Sequence, residues 1–227
     1  MKYFKHQEMG HFNHGWLDTY HHFSFGEYYN EERMHLGPLR VVNDDIINGH
    51  QGFPKHPHND MEIISYVIKG GLTHGDSMGH EETVHRGEVQ YMSAGTGVYH
   101  SEYNHGDDDV RLLQIWIRPD QKNYKPSYGD FRFNWDDRIN KWLHLVGTDA
   151  PVKIHQNANI YVTLLEDNEM LTFDIRKGRQ AYIIQVENAS YVNETFLKER
   201  DALEVHESKL KFKAIGKSHI LIIEMER

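Results

Sequence analysis

The apolar residues of this chain come in short runs, and that limits its fold more than any other property. The strongest runs cover 39–42, 61–68, 112–117, 161–165, 181–186 and 219–225. Segments of about four to eight residues, rich in Val, Ile, Leu and Tyr and bounded by Gly, Asn, Asp or Pro, read as strands rather than helices. Turn signals separate them at Asn48-Gly49, Gly70-Gly71, Met78-Gly79, Arg86-Gly87, Ala94-Gly95-Thr96-Gly97, His105-Gly106 and Lys177-Gly178. Short strands at regular spacing predict an all-β chain of sandwich or barrel type. Helical patterning is weak, and the best candidate is a short turn at 136–142 capped by Asp136.

A chain of 227 residues has room for one large domain or two small ones. The stretch from Pro119 to Asp149 mixes prolines, charges and aromatics and reads as a connector. Strands resume after it with far fewer glycines and no paired histidines. This predicts two β-barrels of related plan, 1–130 and 131–227, with the metal chemistry described below in the first and a chemically reduced second.

Several functional classes are excluded. There are no cysteines, hence no disulfide scaffold, thiolate metal site or cysteine nucleophile. The net charge of −9 opposes direct binding to nucleic acid or an anionic membrane. No apolar run approaches the roughly 18 residues of a membrane helix. The polar N-terminus lacks the apolar core of a signal peptide, so a cytoplasmic location is expected.

The 18 histidines raise the expectation of a metal site. In Gly52-Phe53-Pro54-Lys55-His56-Pro57-His58, two histidines stand at i and i+2. On an extended backbone they share a face and can bind one ion, while Pro57, with no N–H for a sheet ladder, marks an edge, a bulge or a strand start. Tyr99-His100-Ser101-Glu102 repeats the spacing after the turn at 93–97. Two antiparallel strands can therefore present three imidazoles and one carboxylate to one point, a donor set that suits Fe, Mn, Co, Ni, Cu or Zn. Glu62 competes with Glu102 for the fourth place, since it has the parity of His56 and His58. Gln114 and Trp116 share a strand face and are candidate pocket residues. His21 and His22 face opposite ways and read as packing groups. His74, His80, His85 and His105, set among glycines and acids, read as exposed loop residues, and Asp107-Asp108-Asp109 as a solvated turn.

These residues also carry a family resemblance. His56-x-His58-x3-Glu62 and Gly97-x2-His100-x3-Asn104 resemble the two cupin motifs, with Gly95 where the second motif usually has proline. The first half resembles the pirin family, in particular its bacterial branch with quercetin 2,3-dioxygenase activity. The match runs through Trp16-Leu17, His22-Phe23-Ser24-Phe25, Gly52-Phe53-Pro54, His56-Pro57-His58, Met61-Glu62, His100-Ser101-Glu102 and Leu113-Gln114-Ile115-Trp116. It is specific through about Pro119 and general beyond. The resemblance implies a bicupin fold with one divalent metal ion, usually Fe(II), in the N-terminal barrel. It implies the ligands His56, His58, His100 and Glu102, with Glu62 behind them to orient a ligand histidine or a metal-bound water. The implied reaction is ring cleavage of a flavonol by O2 with release of carbon monoxide. Glu102 would be the base for the 3-hydroxyl, and Phe53 and Gln114 would lie beside the substrate. The resemblance equally implies a rival role, a metal-dependent redox sensor that binds a regulatory protein. Another metal-dependent cupin reaction is a third. A monomer is expected.

Overall fold

The computed structural model describes all of residues 1–227. The chain opens with β1 (Lys2–Phe4). It continues through β2 (Gly10–Asn13), β3 (Leu17–His21), β4 (Leu39–Ile47), β5 (Gly52–His58), β6 (Glu62–Lys69), β7 (Gly71–Asp76), β8 (Glu81–His85), β9 (Val89–Ser93), β10 (Val98–Tyr103), β11 (Val110–Ile117) and β12 (Ser127–Phe131). It ends with β13 (Leu143–Val146), β14 (Ala158–Leu165), β15 (Met170–Val192), β16 (Thr195–Leu197) and β17 (Ala202–Glu226). All pairing between these strands is antiparallel, and the only helices are three single turns of 3-10 type. The all-β reading holds. The expected short turn is the helix Trp135–Arg138, but its cap is Asn134, whose side chain accepts from the Asp136 N–H. Part of the supposed connector is the strand β12, paired with β9 at a sheet edge.

Two compact units result. One comprises Gly10–Phe133 with Ile154–Gln156, and the other Met1–Met9, Asn134–Lys153 and Asn157–Arg227. The change falls three residues beyond the expected 130/131, and two short segments are exchanged. Lys2–Phe4 pair with Ala202–Glu204 in the second unit, a long-range pairing that no local pattern announces.

In the first unit a seven-stranded sheet, β12-β9-β6-β11-β4-β3-β2, accompanies a four-stranded sheet, β5-β10-β7-β8. Along the central strands of the larger sheet one face changes character twice. Leu112, Gln114 and Trp116 share a face of β11, and their cross-strand neighbours on β6 are Val67, Ser65 and Ile63. Val67 and Leu112 belong to an apolar cluster with Leu17, Ile47, Leu72, Val84 and Val110, and Ile63 and Trp116 to another with Met92 and Val98. Between them runs a buried polar row, His21, Asn43, Gln114, Ser65 and Gln90, aligned by register across five strands. Polar groups at this depth are costly unless they are hydrogen-bonded.

The second unit has a large apolar cluster beside a small buried polar group, in which Gln185 donates to Ser218 and accepts from Ser190. Leu165, Ile175, Ala181, Ile183, Leu203, Phe212, Ile220 and Ile222 form part of one continuous apolar cluster. Lys177-Gly178 does not separate two strands. β15 and β17 are long and bent, and residues 181–184 pair with 202–205 on one side and with 221–224 on the other. Gly178 (φ +79°) and Gly216 (φ +69°) lie within these strands as corners rather than loops.

Candidate metal centre

β5 is an edge strand, which is where a strand bearing Pro54 and Pro57 can sit without losing ladder bonds. Its register against β10 sets the site. His58 lies opposite Val98 and His56 opposite His100, but Glu102 lies opposite Phe53. Pro54 and Lys55 thus oppose the single residue Ser101, making a bulge. The bulge resets the alternation, so Phe53 joins His56 and His58 along one cavity although its numbering predicts the other face. Gly52 makes the close approach possible, because a Cβ there would overlap the Glu102 carbonyl oxygen. Within the preceding turn, closed by Gly97 N–H donating to the Ala94 carbonyl oxygen, Gly95 adopts φ +44°, and a Cβ would meet the Tyr124 carbonyl oxygen. Glycine answers the geometry here, where the resembled motif usually has proline.

His56, His58 and His100 form a cluster whose ligand atoms lie within 4.8 Å of one another. Outside partners fix which nitrogens carry protons. His56 Nδ1 lies 2.7 Å from the Pro54 carbonyl oxygen, an acceptor only, so it is the N–H and Nε2 is bare. His100 Nε2 lies 3.0 Å from His56 Nε2. His58 Nε2 is buried with no partner in the protein. Burial first, then the neighbouring imidazoles, pushes His58 down to about 4 and His100 down to about 3, so both rings are neutral near pH 7. Each neutral ring has one nitrogen able to offer a lone pair, and three such rings converging in a buried space make a ready site for a cation. Two nitrogens bound at right angles to an ion at about 2.1 Å would be about 3.0 Å apart. The residues present therefore fit a transition metal ion.

Glu102 is buried, and its two oxygens accept from Ser65 Oγ (2.9 Å) and Gln114 Nε2 (2.8 Å). It is not within the tight histidine cluster, but it lines the same cavity, as do Phe53 and Gln114. This cavity has a volume of about 340 Å³, and Phe25, Ile63 and Trp116 give it apolar walls. That lies within the range of small-molecule sites. Glu62 is placed elsewhere. The turn between β5 and β6, with Asp60 at φ +45°, ends the strand alternation on which its parity rests. Ile63 lines the cavity, and Glu62 faces the other way. Fully buried, Glu62 accepts from Tyr91 Oη (2.6 Å), Ser93 Oγ (2.7 Å) and the His155 backbone N–H (3.1 Å). None of these is a ligand histidine, so it does not orient one.

Other expectations fare unevenly. His21 is buried against Phe12 and Phe25, as a packing group should be. His80, His85 and His105 are exposed, but His74 is fully buried in β7, stacked on Tyr128. Asn43 and Asp45, which also line the cavity, were hidden beyond the apolar run 39–42. Acids inside a strand were the available signal. Burial, with Asp44 and Glu102 nearby, pushes Asp45 up to about 7 despite a hydrogen bond from Thr19.

Fold and site together define a two-domain cupin protein with a histidine metal centre in its first domain. The pirin family profile matches residues 4–117, and a profile described as the quercetinase C-terminal cupin domain matches 146–225. The chain belongs to the pirin family. It is 39% identical over 223 residues to the quercetin 2,3-dioxygenase of Escherichia coli K12, covering 97% of this chain and 96% of that protein. It is 37% identical over 223 residues to a pirin-like protein of Caulobacter vibrioides, covering 96% of each. Among solved structures it resembles YhhW from Escherichia coli, with a TM-score of 0.94, 38% identity and coverage of 99% of this chain and 97% of that one. The likeness extends to YhhW in complex with nickel(II), with a TM-score of 0.93, 37% identity and coverage of 99% and 98%.

Proposed function

We propose that the protein is a metal-dependent dioxygenase that cleaves flavonols of the quercetin type with O2 and releases carbon monoxide. The observation that carries this reading is the convergence of three imidazoles and a buried carboxylate on one aromatic-walled cavity. His56, His58, His100 and Glu102 would hold one divalent ion, Fe(II) in this reading. When bound, the ion supplies Lewis acidity and redox capacity toward a flavonol anion and O2. The reaction balances as flavonol plus O2 giving the ring-opened ester plus carbon monoxide.

Glu102 takes the proton of the 3-hydroxyl, its carboxylate held in place by Ser65 and Gln114. Asn43 Oδ1 and Trp116 Nε1 are buried without partners in the protein, and both residues line the cavity. They offer an acceptor and a donor to the hydroxyl and carbonyl groups of a flat polyhydroxylated molecule. Phe53 and Phe25 provide faces for its rings. The name of the Escherichia coli relative supports this substrate class, and the nickel(II) complex of YhhW supports a divalent ion. The second domain carries no metal in this reading, because the histidines that converge, His56, His58 and His100, all belong to the first.

The test is substrate selectivity. The metal-loaded protein is expected to consume O2 with a flavonol and to ignore a flavone lacking the 3-hydroxyl. Chelation should abolish the activity and a divalent ion should restore it. Fully metallated protein that takes up no O2 with any flavonol, across several metals, contradicts the proposal and leaves the partner-binding role of the resemblance.

A further inference from the structure

β10 lies between β5 and β7, and each neighbour presents a pair of polar side chains at i and i+2. On β5 the pair is His56 and His58. On β7 it is His74 and Asp76, which lie directly across from Glu102 and His100. Both β7 side chains are completely buried. His74 Nε2 lies 3.0 Å from Asp76 Oδ2, and His74 Nδ1 lies 3.4 Å from His100 Nδ1. Asp76 is itself anchored, since its Oδ1 accepts from the Met78 N–H (2.8 Å) and the His80 N–H (3.2 Å). The His74 ring stacks on Tyr128 with centroids 4.4 Å apart.

The donors and acceptors in this line have one consistent order. The Asp76 carboxylate can only accept, so His74 Nε2 carries a hydrogen. A metal ion held at His100 Nε2 leaves the His100 hydrogen on Nδ1, which donates to His74 Nδ1. His100 Nε2 is the atom that faces His56 and His58. We propose that Asp76 and His74 are positioning residues for the metal centre. They lock His100 in the tautomer and orientation that a metal ion requires, and they increase its donor strength through a buried carboxylate–imidazole–imidazole line. The inference rests on the metal-centre reading but not on any substrate or reaction. Sequence spacing alone gives no hint of it, because Thr73-His74-Gly75-Asp76 resembles a loop.

Variants at position 74 test it. His74→Phe keeps a flat ring on Tyr128 but removes both hydrogen bonds. His74→Gln can still accept from His100 and donate to Asp76. Nickel(II) affinity, measured against a competing chelator, should fall about 10–100-fold in His74→Phe and recover to within a few-fold in His74→Gln. The ligand-field absorption of the cobalt(II)-loaded protein should shift in the Phe variant and return in the Gln variant. A merely structural role would change thermal stability without this pattern. Should His74→Phe fail to fold, Asp76→Asn carries the same measurements, and a shifted cobalt spectrum is expected there. Folded His74→Phe or Asp76→Asn with wild-type affinity and spectrum overturns the proposal. Wild-type protein that binds no nickel refutes the metal centre itself, and the positioning role with it.

Discussion

Glu62 and Glu102 show how much a single residue's surroundings decide. Glu62 is held by Tyr91, Ser93 and both the backbone and the ring of His155 and touches no clustered histidine, whereas Glu102 lines the histidine cavity. Glu62→Gln turns an acceptor toward donors that need one, and should destabilise the fold by about 1–3 kcal/mol while leaving metal affinity intact. Glu102→Gln, whose oxygens also accept from buried donors, should carry a similar stability cost but, unlike Glu62→Gln, should lower metal affinity. Thermal melts beside metal titrations of both variants check this, and metal loss confined to Glu62→Gln would transfer the fourth-ligand role to Glu62. The clustering of His56, His58 and His100 was legible because strand alternation is local and needs only the immediate neighbours of each. His74, Asn43 and Asp45 were not, because their importance comes from strands paired across the sheets.

At the scale of elements, backbone contacts set the geometry of the ligands. Gly52→Ala would press a methyl group into the β10 backbone and displace the strand carrying His56 and His58. It should cost about 1–3 kcal/mol of stability and weaken metal binding, although no ligand changes. Gly178→Ala is the natural comparison, since open space surrounds it and only its φ of +79° is unfavourable. It should cost about 1–2 kcal/mol and leave metal affinity unaltered. Equal effects of the two on metal binding would argue against the bulge as the device that positions the site. In the first half the runs 39–42, 61–68 and 112–117 mark β4, β6 and β11, whereas β7 reads as a loop and β12 as part of a connector. β15 and β17 were not legible, because Gly178 and Gly216 bend continuous strands instead of ending them, and local turn chemistry is the same for both outcomes.

The molecule as a whole should register its buried imidazoles in its response to acid. Burial holds His21 down to about 4, and with it His58 to about 4 and His100 to about 3. The unfolded chain takes up these protons near 6.5, so the stability contributed by the neutral rings is complete above that pH and is lost as pH falls from 6.5 toward 4. Asp45 acts in the opposite sense. Its carboxyl is raised from 3.8 to about 7, so its contribution is greatest below 3.8 and fades as pH rises through 7. With three groups against one, the melting temperature of the metal-free protein should fall on acidification below 6.5, and less steeply in His58→Ala; a flat or rising profile would contradict this. Saturating metal should add stability, about 2.7 kcal/mol at one hundred times its dissociation constant, and should lose this effect in acid as its ligands protonate. The division into two domains was legible from the change in glycine and histidine usage. The exchange of Met1–Met9 and Ile154–Gln156 between units was not, because it depends on pairings between distant parts of the chain. If one ion at the three-histidine centre drives flavonol oxygenation, titrating metal-free protein with a divalent ion in the presence of quercetin should reveal it in the O2 uptake. Uptake should rise in proportion to added metal, level off at one ion per chain, and be absent throughout in His100→Ala. Uptake that is independent of metal, or that persists in His100→Ala, would contradict the account.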